Sequence, residues 1–392
     1  MPEGRKVRIV WLNALFLSGA PVAAAVLVPL HMWFQGWSWA PFAAMWVLWI
    51  LTGLGITAGY HRLFSHRSYR AHVLVRSAYA VFGAAAWQQS IIDWSSDHRR
   101  HHREVDTDGD PYNAKRGFWW SHMGWVMLDD PIYQRNHDNV RDLYNDPVCR
   151  IQHRFYFPIS LICNLGVPAL LGLVTGDLWG MLLYAGLVRV VLVHHFTFLI
   201  NSVAHIAGKQ PWSQANTSRD SWWLSVFTFG EGYHNYHHAF ESDYRNGPRW
   251  YNFDPSKWLI WVMDRVGLAH GLRRTPIDVV LQRRFDEAKE SFADRIELLG
   301  QRWEQWRAEQ QEGGRAQIGP STLDALERRL ESGLAELSEA RRAWQRAVKA
   351  RASDLNTLKR ALREAQHSVQ QTLTEWERTA TECVQMSMLA PA

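Results

Sequence analysis

Residues 9–60 read IVWLNALFLSGAPVAAAVLVPLHMWFQGWSWAPFAAMWVLWILTGLGITAGY and contain no Asp, Glu, Lys or Arg. A helix needs about 20 apolar residues to cross a bilayer core, so this run holds two spans, 9–32 and 41–60. Between them Trp33-Phe34-Gln35-Gly36-Trp37-Ser38-Trp39 supplies three Trp and no charge, the composition of a lipid–water boundary. The reading repeats between Phe155 and Gly208, where only Asp177 and Arg189 are charged. There the expected spans are 156–175 and 180–204, joined at Thr175-Gly176-Asp177. The frame is an all-α integral membrane protein of four transmembrane helices in two hairpins.

Working outward, the basic residues give an orientation. Arg5, Lys6 and Arg8 precede the first span, Arg62, Arg67 and Arg70 follow the second, and neither hairpin tip holds Lys or Arg. The positive-inside tendency then puts both termini and the middle region on the cytoplasmic side. A cleaved leader is not expected, because the first apolar run continues into a second span. The chain has 392 residues and 22 Trp, yet its mean hydropathy is only −0.27. The reason is the stretch beyond Asp278, dense in Glu, Arg, Gln and Ala. This split excludes a simple soluble globule and a disordered chain. Three cysteines without paired spacing exclude a disulfide scaffold and a thiolate metal cage. A net charge of +5 is too small to argue for nucleic acid and suits a surface against anionic lipid.

Eighteen histidines remain. Three clusters stand out: His61-x4-His66, His98-x2-His101-His102 and His234-x2-His237-His238. In the last two, positions i, i+3 and i+4 share a helical face, so imidazoles can converge on one point. Neutral imidazole is a common ligand for first-row metals. Asn201-x3-His205 adds a further pair at the end of the fourth span. All nine histidines fall at one membrane face and at similar depth; nine nitrogens are too many for one ion and suit two. Residues 72–92 are apolar and nearly long enough to cross, but a crossing there would part the histidines on either side of it. They are expected to form a buried or interfacial helix instead. The other nine histidines, His194 and His195 among them, are read as packed or hydrogen-bonded.

On these motifs the chain resembles the membrane fatty-acyl desaturases, in particular the Δ9 stearoyl-type group. The stretches that carry the resemblance are His61-Arg62-Leu63-Phe64-Ser65-His66, Asp97-His98-Arg99-Arg100-His101-His102, Asn201-Ser202-Val203-Ala204-His205 and Gly230-Glu231-Gly232-Tyr233-His234-Asn235-Tyr236-His237-His238. Asp106-Thr107-Asp108-Gly109-Asp110-Pro111-Tyr112-Asn113 and Arg116-Gly117-Phe118-Trp119-Trp120-Ser121-His122 add to it. The match covers about residues 9–265. It implies four transmembrane helices under a cytoplasmic helical cap holding two irons. The implied ligands are His61, His66, His98, His101, His102, His205, His234, His237 and His238, with Asn201 acting through a water. A bent substrate tunnel is implied at Gln88, Trp94 and Thr197. The implied reaction inserts a cis double bond, at Δ9, into a saturated acyl chain with O2 and two electrons. Asp93, Asp97, Asp106, Asp108 and Glu231 are the carboxylates available to orient ligand rings.

One departure concerns the acyl carrier. Animal stearoyl-CoA members place basic residues for coenzyme A where this chain has Ser96 and Asp129-Asp130. Either CoA meets other basic residues (Arg99, Arg100, Arg103, Lys115, Arg116), or the acyl chain arrives on a lipid or a carrier protein. No haem-binding His-Pro-Gly-Gly and no cysteine quartet occurs, so a separate electron donor such as a ferredoxin, a rubredoxin or a haem protein is expected. Competing readings are a di-iron hydroxylase or monooxygenase on the same scaffold, and a non-redox metal carrier. The second would need polar residues through the depth of the spans, which residues 9–60 lack.

The expected division is 1–277 as the membrane domain with its di-iron cap and 278–392 as a charged helical extension. Within the latter, Leu326, Leu330, Leu337, Trp344 and Leu358 form one stripe and Leu355, Leu362, Val369 and Trp376 another. This suits a coiled coil that makes homo-oligomers or docks the donor, or a charged helical hairpin folded against its own cap. Gly333, Arg351 and Asp354 interrupt the stripe and favour the hairpin.

Overall fold

The computed structural model describes residues 7–131, 136–312, 320–350 and 355–389. Arg5, Lys6, Arg351 and Asp354, all used above, lie outside the described residues. The chain divides into two compact units, residues 1–210 with 215–274, and residues 211–214 with 275–392.

In the first unit four helices are long and apolar enough to cross a membrane. They are α1 (Trp11–Gln35) and α2 (Trp39–Ser65), then, after several shorter helices of which three are labelled α3 to α5 below, α6 (Tyr156–Thr175) and α7 (Leu178–His205). The tip of the first hairpin turns at Gly36, at φ +73°. The second turns at Gly176 (φ +79°), after which the Asp177 carboxylate accepts the Gly180 N–H at 2.7 Å and starts α7. His31 of α1 approaches the same Asp177, at 3.4 Å. Residues 72–92 do not form one long helix. The helical part, α3 (Val73–Ala84), has 12 residues, well short of a bilayer's thickness.

The shorter helices around the candidate site are each held at their first turn. Ser90 caps α4 (Ile91–Glu104), its hydroxyl accepting the Asp93 N–H at 3.2 Å and donating to the Asp93 carboxylate at 2.6 Å. This fixes the phase of α4, and with it the directions of three histidines. Then α5 (Pro147–Arg154) starts at Asp146, which accepts the Val148 N–H. The six-residue α8 (His234–Ala239) is held by Asp220, whose carboxylate accepts the Tyr236 N–H at 3.0 Å. Asp254 caps α9 (Pro255–Arg265) through the Lys257 N–H, at 2.9 Å.

Most of α2 is α-helical, but Gly55–Ser65 winds as a π-helix. The His66 N–H reaches the His61 carbonyl five residues back, at 3.0 Å. In an α-helix two residues five apart diverge by about 140°. The wider π-turn brings them close to one face instead, so both imidazoles of His61-x4-His66 can point the same way.

The second unit is an antiparallel bundle of α10 (Ile277–Leu299), α11 (Gln301–Glu312), α12 (Pro320–Ala350) and α13 (Leu355–Leu389). Arg341–Asp278 (2.7 Å) and Lys289–Glu327 pair α10 with α12 in opposite directions. Leu326, Leu330, Leu337, Val369 and Trp376 are buried in its core. Gly333 faces Val369 so closely that a Cβ would stand 3.0 Å from Cγ2. The glycine that interrupts the stripe therefore marks a close helix crossing.

Candidate metal centre

The nine histidines singled out by spacing assemble into two groups. His61, His66, His98, His102 and His237 form one, and His101, His205, His234 and His238 the other; within each group the ligand nitrogens all lie within 4.8 Å of one another. The i, i+3, i+4 clusters do not each converge on one point. On α4, His98 and His102 turn to the five-membered group and His101 to the four-membered one. On α8, His234 and His238 join the four-membered group and His237 the five-membered one. Each helix thus crosses between two centres, because positions four apart stay aligned while the intervening one looks sideways. The end of α2 adds two rings to the first group, and the end of α7 adds His205 to the second.

Within both groups it is the Nε2 atoms that meet. His66 and His98 approach at 2.8 Å, and His237 stands 2.9 Å from both His61 and His102. In the other group His101–His238 is 3.2 Å, and His234 is 3.1 Å from both His205 and His238. Five of the outward Nδ1 atoms face oxygen. His101 Nδ1 lies 2.9 Å from Asp110, His61 Nδ1 2.9 Å from Glu231 and His102 Nδ1 3.3 Å from Glu241. His98 Nδ1 meets the Tyr112 hydroxyl at 3.3 Å, and His205 Nδ1 meets Thr217 Oγ1 at 2.8 Å. Thr217 in turn donates to Asp106, at 2.7 Å.

This arrangement tests whether a metal fits. A neutral ring that gives its Nδ1 hydrogen to a carboxylate has only a lone pair at Nε2. Lone pairs aimed at one another at 3 Å repel, and a cation between them reverses the sign. Nitrogens about 2.1 Å from one ion and at right angles would stand about 3.0 Å apart. The observed spacings match, so the donor set is compatible with a metal in each group. The oxygen partners on Nδ1 are the arrangement that orients ligand rings and raises their basicity.

Charge supports the same conclusion. Burial, reinforced by neighbouring imidazoles, pushes His66, His98, His234, His237 and His238 well below the ordinary value of 6.5. His102 is pushed down to about 4, again chiefly by burial and despite the attraction of Glu241. The rings stay neutral and available as ligands at neutral pH. Burial would raise the Glu231 carboxyl, but His61 and Arg62 hold it below its usual range.

Arg62 entered the sequence reading only as an orientation signal. It is fully buried, and its guanidinium spans Glu231 (2.9 Å), Asp254 (2.9 Å) and the Tyr244 carbonyl (3.0 Å). It therefore ties the end of α2 to the His234 segment and the start of α9. Of the carboxylates named from sequence, Glu231 and, through Thr217, Asp106 face ligand rings. Asp93 instead holds His137 and Ser90. Asp110 lies in a stretch that carries the resemblance but was not singled out within it; Glu241 and Thr217 had no sequence signal, since nothing local marks them as neighbours of distant rings.

Beside both groups lies a cavity of ≈ 170 Å3. Its walls include Gln88, Trp94, Thr197 and Asn201 with His61, His98, His101 and His234. The Gln88 amide donates to Thr197 Oγ1 at 2.9 Å. Trp94 stacks on His98 with centroids 4.9 Å apart. Trp87 and Gln89, on either side of Gln88, have φ of +55° and +78°, the strained backbone that functional sites tend to retain. His194 donates to the Ala86 carbonyl (2.9 Å), and His195 pairs with His122 (3.1 Å). Arg189 donates to the carbonyls of Ala185 and Ala85 and to Asn164, a structural role at the foot of this loop.

A family model described as Fatty acid desaturase matches residues 37–261. A probable acyl-CoA desaturase of Schizosaccharomyces pombe is 43% identical over 289 residues, 73% of this chain and 59% of that protein. Acyl-CoA desaturase 1 of Saccharomyces cerevisiae is 43% identical over 271 residues, 67% of this chain and 52% of that protein. Stearoyl-CoA desaturase 5 of Homo sapiens is 38% identical over 284 residues, 69% of this chain and 83% of that protein. The chain thus spans a little over half the length of the two yeast relatives.

Proposed function

The chain belongs to the fatty acid desaturase family, and we propose that it inserts a cis double bond, at Δ9, into a saturated fatty acyl chain with O2 and two electrons. The observation that carries this is the cavity whose walls combine four of the nine histidines with the Gln88–Thr197 pair and Trp94. The relatives' names are those of desaturases and give the hydroxylase alternative no support.

In this reading each histidine group binds one iron, five imidazoles holding one ion and four the other, with Asn201 completing the second through a water. When bound, the two irons supply from O2 the oxidising power that removal of hydrogen from an unactivated methylene demands. The protein supplies position. A saturated chain offers no handle near its middle, so depth and direction in the cavity select the carbon. Gln88 and Thr197 hold one wall through their mutual hydrogen bond. Trp94, stacked on His98, presents a flat apolar face beside the metal-binding rings. Asp110, Glu231 and Glu241 keep the Nδ1 side of their rings occupied and the Nε2 side free for metal.

The acyl group arrives on CoA, a lipid or a carrier protein. Arg99 is committed to Asp142 (2.6 Å) and to backbone carbonyls, and Arg116 to Asp130 (2.9 Å). Arg100 donates to the Gly109 carbonyl (2.9 Å) and Arg103 pairs with Glu104 (2.9 Å); Lys115 is exposed and stands available to a carrier phosphate. Electrons come from a separate donor protein. The termini and the metal-bearing face are cytoplasmic, with Arg67 and Arg70 toward the headgroups.

The test is expression in a host that lacks its own desaturase, beside His101→Ala, with total fatty acids analysed by gas chromatography–mass spectrometry. The wild type alone yields Δ9 cis-monoenes. Hydroxy acids, or monoenes formed equally by both chains, would contradict the proposal.

A further inference from the structure

His205 is the one ring that α7 gives to the four-imidazole group, and it is the last residue of that helix, so no following turn of helix fixes it. Its Nδ1 meets a hydroxyl, Thr217 Oγ1 at 2.8 Å, where His61, His101 and His102 meet carboxylates. Behind that hydroxyl stands Asp106. Its Oδ1 accepts the Thr217 hydroxyl at 2.7 Å, and its Oδ2 accepts the Thr217 N–H at 2.6 Å. Asp106 is buried and has a φ of +63°, a backbone conformation that is kept where the surroundings require it.

The direction of these hydrogen bonds follows from the donors present. A carboxylate only accepts, and a hydroxyl has a single hydrogen. Thr217 gives that hydrogen to Asp106, so toward His205 it presents a lone pair. His205 then carries its proton on Nδ1, which leaves the lone pair on Nε2, the atom 3.1 Å from His234 Nε2. The same loop serves a second ring of the group. The Asp106 N–H donates to Asp110 Oδ2 at 3.2 Å, and Asp110 Oδ1 faces His101 Nδ1 at 2.9 Å. Beyond Thr217 the chain reaches toward α8. The Arg219 N–H donates to the Ala204 carbonyl (2.6 Å), the Asn235 amide donates to the Ser218 carbonyl (3.0 Å), and Asp220 accepts the Tyr236 N–H (3.0 Å). Residues 217–220 thus fasten the end of α7 to the helix that carries His234 and His238.

We infer that Thr217 is a positioning residue of the four-imidazole group: its hydroxyl relays the Asp106 carboxylate to His205, fixing the tautomer and direction of that ring, and it begins the strap between α7 and α8. The inference rests on the metal-binding reading above. Thr217 acts through His205 and is not itself a ligand. A ring held in this way has its Nε2 aimed before a metal arrives, so binding requires no reorientation of it. None of the five rings of the other group comes from α7, so loss of the hydroxyl bears on one centre and leaves the other.

The experiment compares Thr217→Val, which puts a methyl of similar size in place of the hydroxyl, with Thr217→Ser, which keeps the hydroxyl. Each full chain is loaded with iron in nanodiscs and challenged with rising concentrations of a chelator, and the iron left per chain is measured. Thr217→Val is expected to release one ion at a chelator concentration about 10- to 100-fold lower than the wild type needs, and the other ion where the wild type releases it. Thr217→Ser is expected to stay within about twofold of the wild type. Release of both ions together from Thr217→Val, a release profile unchanged from the wild type, or equal impairment of the two variants overturns the relay. Failure of the metal reading shows differently, as no iron retained by the unmodified chain, and overturns both.

Discussion

The five-imidazole and four-imidazole groups draw on the same two helices, yet they are completed differently. In the first, the π-wound end of α2 delivers two rings, His61 and His66, to the three from α4 and α8. In the second, the end of α7 delivers only His205, and Asn201 stands one turn away in the cavity wall. A group of five nitrogens can lose one and remain a chelate. A group of four has no spare. The comparison teaches that nine histidines of one chemical type occupy unequal positions, and that the inequality originates in how two spans end.

The largest effect should come from the group without a spare. His101→Ala or His234→Ala is expected to lower turnover on the order of 1,000-fold, since residues acting as one unit fail together, and to lower bound metal from two ions per chain toward one. His66→Ala leaves four rings in the larger group and should retain both ions with a smaller loss, about tenfold to 100-fold. Turnover and metal content measured on the same preparations check this; equal metal loss in all three variants would break the comparison.

Removing the oxygen partners sharpens it. Asp110→Asn affects the four-membered group and Glu231→Gln the five-membered one; each is expected to weaken metal retention about 10- to 100-fold, Asp110→Asn the more. Competition with a chelator measures both. In the cavity, Gln88→Ala removes the hydrogen bond to Thr197 but no ligand. It should keep two ions per chain, slow turnover about tenfold and spread the double bond over neighbouring positions, as read by product analysis.

The smallest effect concerns protons. In the metal-free protein the buried rings resist protonation that the unfolded chain accepts at about pH 6.5. The unfolded state therefore binds more protons as pH falls below that value, and stability falls with it until the folded-state value is reached. For His102, whose value is about 4, this costs about 2 kcal/mol at pH 5. Denaturant midpoints of metal-free protein should accordingly be flat above pH 7 and drop between pH 6.5 and 5, with His102→Phe reducing the drop.

The spans were legible because length and the absence of charge suffice to identify them. The nine histidines were legible because spacing and membrane side agree. Their division was not, since a shared helical face does not reveal that His101 and His237 look past their neighbours to a different centre. The π-winding at Gly55–Ser65 has no signature in residue type, so the second span runs five residues beyond its expected end at Tyr60. Arg62 counted in the sequence as one of the basic residues that set the orientation; its role as a buried tie was not visible there, because its acidic partners at Glu231 and Asp254 lie far along the chain. In the C-terminal unit the heptad-like stripes were visible, while which of its own helices pair depended on contacts distant in the chain, such as Arg341–Asp278.

The division into five and four is tested most directly by anomalous diffraction at the iron edge from crystals of the iron-loaded protein. Two peaks are predicted, one among the Nε2 atoms of His61, His66, His98, His102 and His237, the other among those of His101, His205, His234 and His238. A single peak shared by both groups, or a peak outside them, would contradict the account.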